Sequence, residues 1–247
     1  MKYSLIVPYF RTPEITRLCL YSIFKFGRGE PEVIVVDNAP GSAESALLLE
    51  FPQLKVIENR TRLRGSGANF EALDLGLARA SNDLVGLIHS DTIFLQEAWD
   101  LECFSRLEGE KLAALGTFER EANPFRPLRQ RLRDRWRHWM HARRPPRDGK
   151  LMLHFLLTRR STLSQIGFVF LRDGHIAPSH FAASGKPVEV LSLVEVSRLI
   201  WHTSNITSLV TGQVDDPKLA AIYREKRRRL LDDPRIRQAF APVLPKD

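Results

Sequence analysis

The first hundred residues alternate short apolar runs with amphipathic stretches. Tyr3 to Val7 is an apolar run stopped by Pro8, and it predicts a strand. Pro13 to Phe26 places Ile15, Leu18, Leu20, Ile23 and Phe24 among polar residues, with a proline near its start and Gly27 behind it, which predicts a helix. Glu32 to Val36 (EVIVV) is β-branched and apolar, as a strand buried on both faces should be, and it ends in the turn signal Asp37-Asn38-Ala39-Pro40-Gly41. Ala43 to Glu50 predicts a short helix and Leu54 to Glu58 a third strand. Gly67 to Ala80 predicts a helix with Phe70, Leu73, Leu77 and Ala78 on one side, and Leu84 to Ile88 a fourth buried strand. This order predicts an α/β fold, a parallel sheet with helices on both faces. Ligands of such sheets sit beyond the carboxyl ends of the strands. The polar groups expected to meet there are Tyr9, Phe10 and Arg11; Asp37 and Asn38; Asn59 and Arg60; and His89 and Asp91.

The second half is less regular. Leu112 to Phe118 and Leu151 to Thr158 (LMLHFLLT) predict strands, Ser161 to Gly167 a short helix with Ser161 as its N-cap, and Ile176 to Ser184 a helix stopped by Gly185-Lys186-Pro187. Val188 to Val196 reads as strand, and Pro217 to Leu231 as a basic helix with proline at its start. No internal repeat or low-complexity linker divides the chain, so one compact unit is expected: a domain over 1–215, a basic insertion at 120–150 and a C-terminal extension over 216–247.

Composition narrows the class. With 247 residues, 43% hydrophobic and 27% charged, the chain is long and apolar enough for a sizeable core. No run of about 18 apolar residues predicts a membrane span, and the apolar N-terminal run is too short for a signal peptide, so a cytoplasmic location is expected. Two cysteines, Cys19 and Cys103, fit a reducing compartment. The net charge is +8, and residues 120–150, with eleven Arg or Lys and three acids, carry all of it. A balanced domain with one basic stretch points to a local docking surface rather than to nucleic acid.

The stretches YSLIVPYFRTPEITRLCLYSI, EVIVVDNAPGS and VIENRTRLRGSGANFEALDLGLARASNDLVGLIHSDT, followed by FLLTRRSTLSQIGF and LIWHTSN, resemble in order and spacing the family 2 glycosyltransferases of the GT-A fold. The likeness spans roughly residues 3 to 205. It implies a mixed, mainly parallel sheet, a nucleotide-diphosphate sugar donor (UDP or dTDP favoured), inversion at the sugar, and a divalent cation, Mn²⁺ or Mg²⁺. Transfer of this kind leaves a charged diphosphate, which a cation stabilises, and needs a base for the acceptor hydroxyl.

The resemblance then assigns roles. Asp91 is the expected metal ligand, at the last position of the family's Asp-x-Asp. His89 stands at the first, where it would touch ribose or add a nitrogen ligand better suited to Mn²⁺ than to Mg²⁺. The competing reading makes Asp91 the cap of a helix beginning near Leu95. Asp37 would accept hydrogen bonds from base or ribose, or serve as an Asx turn, or both. Pro8, Tyr9 and Phe10 would line the base, with backbone groups doing the reading. The loop Arg64-Gly65-Ser66-Gly67-Ala68-Asn69 would face the nucleotide with its amides and Asn69, with Arg64 toward phosphate. His202 matches a late family histidine that closes on metal or diphosphate; the alternative is a satisfied histidine beside Trp201. Asp173 stands where the family carries its catalytic base, but Arg172 replaces the preceding glutamate, and an adjacent cation weakens a base if the side chains meet. A surface Asp-Gly turn is the alternative, with His175 a competing base and His180 a more distant one. His138, His141 and His154 read as ordinary.

The basic segment places Phe125, Leu128, Leu132, Trp136, Trp139 and Met140 at helical spacing among arginines. That pattern fits an anionic membrane interface, a cover over the cleft, or a groove for an anionic glycan or lipid diphosphate. The expected function is sugar transfer to a glycan or lipid-linked acceptor in bacterial surface polysaccharide synthesis, at the inner face of the membrane. A catalytically degenerate relative that binds nucleotide or glycan without turnover is the alternative. An RNA-binding module would instead show a steep salt dependence.

Overall fold

The fold is assembled outward from β1 (Lys2–Tyr9). The computed structural model describes residues 1–118, 149–202, 217, 221, 224–225, 228, 232 and 234–241. In it β1 runs parallel to β2 (Glu30–Asp37) on one side and to β4 (Leu84–Ile88) on the other, and β3 (Lys55–Glu58) adds parallel to β2. β7 (Leu151–Arg159) lies antiparallel to β4 and to β6 (Ala114–Phe118), and β8 (Val188–Val190) closes the edge parallel to β6. The sheet order is β3-β2-β1-β4-β7-β6-β8, the mixed and mainly parallel arrangement expected. A second, two-stranded sheet pairs β5 (Thr92–Phe94) antiparallel with β9 (Ile200–His202).

The central strands carry no polar alternation because both of their faces are covered. Leu5, Val7, Val33 and Val35 pack with Ile15, Leu18, Cys19 and Ile23 of α1 (Pro13–Phe26). Ile6, Ile34 and Val36 pack on the other side with Ala72 and Leu73 of α2 (Ser66–Arg79). Gly76 lets α2 sit close to the sheet: a Cβ there would lie 2.3 Å from Cγ2 of Ile6.

Several expected boundaries move, each for a local reason. Pro8 does not end β1, which continues to Tyr9; pairing with β4 covers only Ser4 to Ile6, so one flank of the strand is already open at the proline. Ala43–Glu50 and Pro178–Ser184 are 3₁₀ helices. The expected strand over Val188 to Val196 stops at Val190. Ser192 then caps α6 (Leu193–Leu199): its N–H donates to Oε2 of Glu195 at 2.8 Å and its hydroxyl accepts the Glu195 N–H at 3.3 Å. Ser161 is not a cap. It lies inside α4 (Arg160–Gln165), and its N–H donates to Oδ1 of Asp83 at 2.9 Å. No helix starts near Leu95. Thr92–Phe94 is strand, α3 (Trp99–Ser105) begins later, and Asp91 therefore has no helix to cap.

α5 (Phe170–Asp173) packs against α2. Near the C-terminus, α7 (Pro234–Phe240) buries Ile236 and Phe240 in the core shared with α1, the Phe240 ring lying 5.6 Å from Tyr21 and 6.0 Å from Phe26. The basic segment except its last two residues, the boundary expected at 215/216 and most of Pro217 to Leu231 lie outside the described residues.

Candidate active site

The chain leaves β1 toward β2 and β3, then returns over the sheet through α2 to enter β4 on the far side of β1. The chain thus changes sides at β1, and in such sheets the carboxyl ends of the strands at that point are where ligands bind. The strand ends along this edge are stitched together. Tyr9 pairs with Asp37 and Asp37 with Glu58. The Asn38 N–H donates to the Tyr9 carbonyl at 2.9 Å, and the Asn59 N–H to the Asp37 carbonyl at 2.8 Å.

The expected nucleotide residues meet at this edge in different ways. Asp37 is buried, and its carboxylate accepts the Ala39 N–H at 2.8 Å and the Ser45 hydroxyl at 2.6 Å. It builds the Asx turn of the loop, and both of its oxygens are already engaged. Asn38 is held by its neighbour: Asn59 Nδ2 donates to Asn38 Oδ1 at 2.8 Å and to Glu71 Oε2 at 3.1 Å. Pro8 is buried within β1. The Tyr9 ring is fully buried in the α1 core and its hydroxyl donates to the Glu44 carbonyl at 2.7 Å. Phe10 is half-buried with the Arg11 guanidinium 5.7 Å from its ring centre, and Arg11 itself holds a left-handed φ of 49°. At the start of α2, Gly65 takes a φ of 56°, a value an L side chain rarely adopts. Asn69 is half-buried and Arg64 exposed. Arg60 turns to Glu58 at 3.0 Å.

The second group of expected residues converges on one point. The turn after β4 presents His89 and Asp91, and pairing of β5 with β9 brings His202 opposite Thr92. His202 Nε2 lies 3.1 Å from Asp91 Oδ1, and His89 Nδ1 lies 3.9 Å from the same oxygen. One donor atom from each of the three residues lies within 4.8 Å of the other two. Burial pushes His89 down to about 4; Asp91 opposes that shift, while His202 and His175 add to it, so the ring is neutral at pH 7. Burial alone would raise Asp91, but the charge and hydrogen bond of His202 and the charge of His89 outweigh it and hold the carboxyl well below its usual range. Two imidazoles and an ionised carboxylate form a donor set for a divalent first-row metal. The buried Nε2 of His89, without a hydrogen-bond partner among the described residues, fits that use.

His154, read from the sequence as ordinary, belongs to the same group. It is 5% exposed, its ring stacks on His202 at 4.0 Å and 15°, and its Nε2 lies 3.0 Å from the Thr117 hydroxyl. No spacing signal marks it. The one hint is a single imidazole in the apolar run of β7.

Asp173 and Arg172 do meet. Arg172 Nε lies 2.8 Å from Asp173 Oδ1 and Nη2 2.8 Å from Oδ2, and Oδ2 also accepts the Val169 N–H at 2.9 Å. The guanidinium, aided by the Val169 N–H, lowers the Asp173 carboxyl to about 2. His175, two residues on, packs edge-on against Phe70 at 5.1 Å and lies near enough to His89 for its charge to disfavour protonation there. His180 is a local brace: its Nδ1 accepts the Ala177 N–H at 2.9 Å.

A mainly parallel sheet with a histidine–carboxylate cluster beyond the end of β4, beside the point where the chain reverses, is the architecture of a GT-A glycosyltransferase. The model of Glycosyl transferase family 2 matches residues 4–174, and the chain belongs to that family. No curated protein sequence matches it. Among solved structures it is similar to the mannosyltransferase PcManGT of Pyrobaculum calidifontis in complex with GDP-Man and Mn²⁺, at 15% identity over 98% of this chain and 73% of that one, with a TM-score of 0.58. It is also similar to S. aureus TarS 1–349 in complex with UDP-GlcNAc, at 16% identity over 98% and 70%, with a TM-score of 0.58. At such identities these likenesses speak for the fold.

Proposed function

We propose that this glycosyltransferase moves a sugar, with inversion, from a UDP- or dTDP-sugar to a glycan or lipid-linked acceptor in bacterial surface polysaccharide synthesis. The observation that carries the reading is the 3.1 Å approach of His202 to Asp91 at the end of β4. Asp91 and His202, with His89 beside them, would hold Mn²⁺ or Mg²⁺, which would neutralise charge on the departing diphosphate. Pro8, the Tyr9 backbone and Phe10, the Asp37–Asn38 turn, and Arg64 with Asn69 at the start of α2 would bind the nucleotide. The amides at that helix start suit an anionic group.

The base for the acceptor hydroxyl lies on the Asp173–His175 turn. Asp173 occupies the family's position and accepts the proton once Arg172 releases it. His175, whose charge is felt at His89, is the second candidate. Among the described residues no helix is long and apolar enough to cross a membrane. A cytoplasmic protein held peripherally by the Trp136/Trp139 segment on an anionic inner leaflet is consistent with that and with the sequence.

The experiment is release of nucleoside diphosphate from UDP- and dTDP-sugars with Mn²⁺ or Mg²⁺, with and without candidate acceptors. Turnover is expected in the wild type and is lost in Asp91→Ala and Asp173→Asn. Unchanged rates in both variants would remove these assignments. Calorimetric binding of UDP or dTDP without transfer to any acceptor would favour a binding protein on the same fold.

A further inference from the structure

His154 is an expensive residue for its place. β7 reads Leu-Met-Leu-His-Phe-Leu-Leu-Thr, and a leucine or phenylalanine would fill the site without burying two ring nitrogens. Only Nε2 meets a partner, Thr117, while Nδ1 is buried with no hydrogen-bond partner among the described residues. A buried polar atom left in that state destabilises the fold. Two contacts indicate what the residue does. Its ring lies flat on His202, 4.0 Å away and tilted by 15°. Its carbonyl accepts the hydroxyl of Thr92 at 3.0 Å, and Thr92 is the residue paired with His202 across β5 and β9.

His202 sits at the end of a three-residue strand in a two-stranded sheet, a support with little stiffness of its own. His154 stands on the central seven-stranded sheet and holds both sides of that small pairing, the ring of one residue and the hydroxyl of the other. We propose that His154, braced by Thr117, is a positioning residue that fixes the plane of the His202 ring, so that Nε2 stays against Asp91 before any cation arrives. This rests on the reading of His89, Asp91 and His202 as a metal site. Residues behind a metal ligand commonly set its affinity by about 10- to 100-fold.

The test is Mn²⁺ titration of the full chain by calorimetry, with thermal unfolding of each metal-free protein alongside. His154→Leu removes the flat ring, His154→Phe keeps it, and Thr117→Val removes the brace. Mn²⁺ affinity should fall about 10- to 100-fold in His154→Leu and to an intermediate value in both His154→Phe, which keeps the ring without the brace, and Thr117→Val, which removes the brace alone. A merely structural histidine would lower the unfolding temperature of the metal-free variants and leave Mn²⁺ affinity where it was; that result overturns the proposal. If His154→Leu does not fold, wild-type affinity in Thr117→Val overturns it equally. If the wild type itself takes no Mn²⁺, the metal reading fails, which is a different result from a wild type that binds and variants that bind as well.

Discussion

Arg172 and Asp173 are adjacent in the chain and bound to each other through both carboxylate oxygens, each contact 2.8 Å long. The glutamate found before the catalytic aspartate in relatives would repel that carboxylate; the arginine neutralises it. With its pKa near 2, Asp173 is ionised throughout the working range but holds a proton weakly. Arg172→Gln should raise the Asp173 pKa toward the ordinary carboxylate value near 4. If Asp173 is the base, the acid limb of the pH–rate profile moves upward with it. A limb that stays in place in Arg172→Gln but disappears in His175→Ala would transfer the role to His175.

The cluster at the end of β4 predicts unequal losses. Asp91 is the oxygen that both His89 and His202 approach, at 3.9 and 3.1 Å, so Asp91→Ala should lower turnover by about 100-fold or more, the scale of removing one main electrostatic contact in a site. His89→Asp restores the family's Asp-x-Asp pattern. It exchanges a nitrogen for an oxygen donor and should improve Mg²⁺ relative to Mn²⁺. The ratio of the two dissociation constants, measured by calorimetry, checks this; an unchanged ratio would place His89 outside the coordination sphere.

Two glycines of α2 should respond in opposite directions. Gly76→Ala drives a methyl to 2.3 Å from the fully buried Ile6 and should cost about 1–3 kcal/mol in denaturant unfolding. At Gly67 a Cβ would meet Leu63 at 3.5 Å, an ordinary contact, and Gly67→Ala should be neutral or stabilising by up to about 1 kcal/mol.

Glu32 gives a stability signature remote from the site. Burial raises this carboxyl, but Lys55, the Ser4 and Ser81 hydroxyls and the Ser81 N–H together outweigh it and bring it to about 2. A carboxyl depressed in the folded state contributes stability that is full above its unfolded value near 4.5 and is lost as pH falls through about 2. Glu32→Gln should therefore be less stable than wild type at pH 7. The gap between the two unfolding free energies should close between pH 4.5 and 2. A gap that does not change over that window would mean that the carboxylate charge adds nothing.

The membrane reading is checked by sedimentation with anionic vesicles. The wild type should be pulled down, and Trp136→Ala/Trp139→Ala less so. Equal binding by both proteins would remove that segment from the interface.

Much of this architecture was legible because burial on both faces leaves a plain mark. EVIVV and LVGLI have no polar alternation, and they became the two strands that flank β1. The place of Asp91 beyond such a strand and the family's late histidine at His202 pointed to two residues that the fold brings within 3.1 Å of each other. The rest has separate causes. Val188 to Val196 is apolar enough for a strand, yet the pair Ser192 and Glu195 turns it into a capped helix within two residues, and a capping box was the signal to weigh. The parity of β1 puts the Tyr9 ring in the α1 core, which leaves the expected reading by backbone groups untouched. His154 was invisible because its partners, Thr117 and His202, come from other strands and share no spacing with it.

α7 bears on how the chain is handled. Phe240 wedges between Tyr21 and Phe26, and Lys25 donates to the Ala239 carbonyl. Trimming the last turns as though they were a dispensable tail would strip an oily flank of α1 bare, and the shortened product would tend to clump before any assay could be run on it.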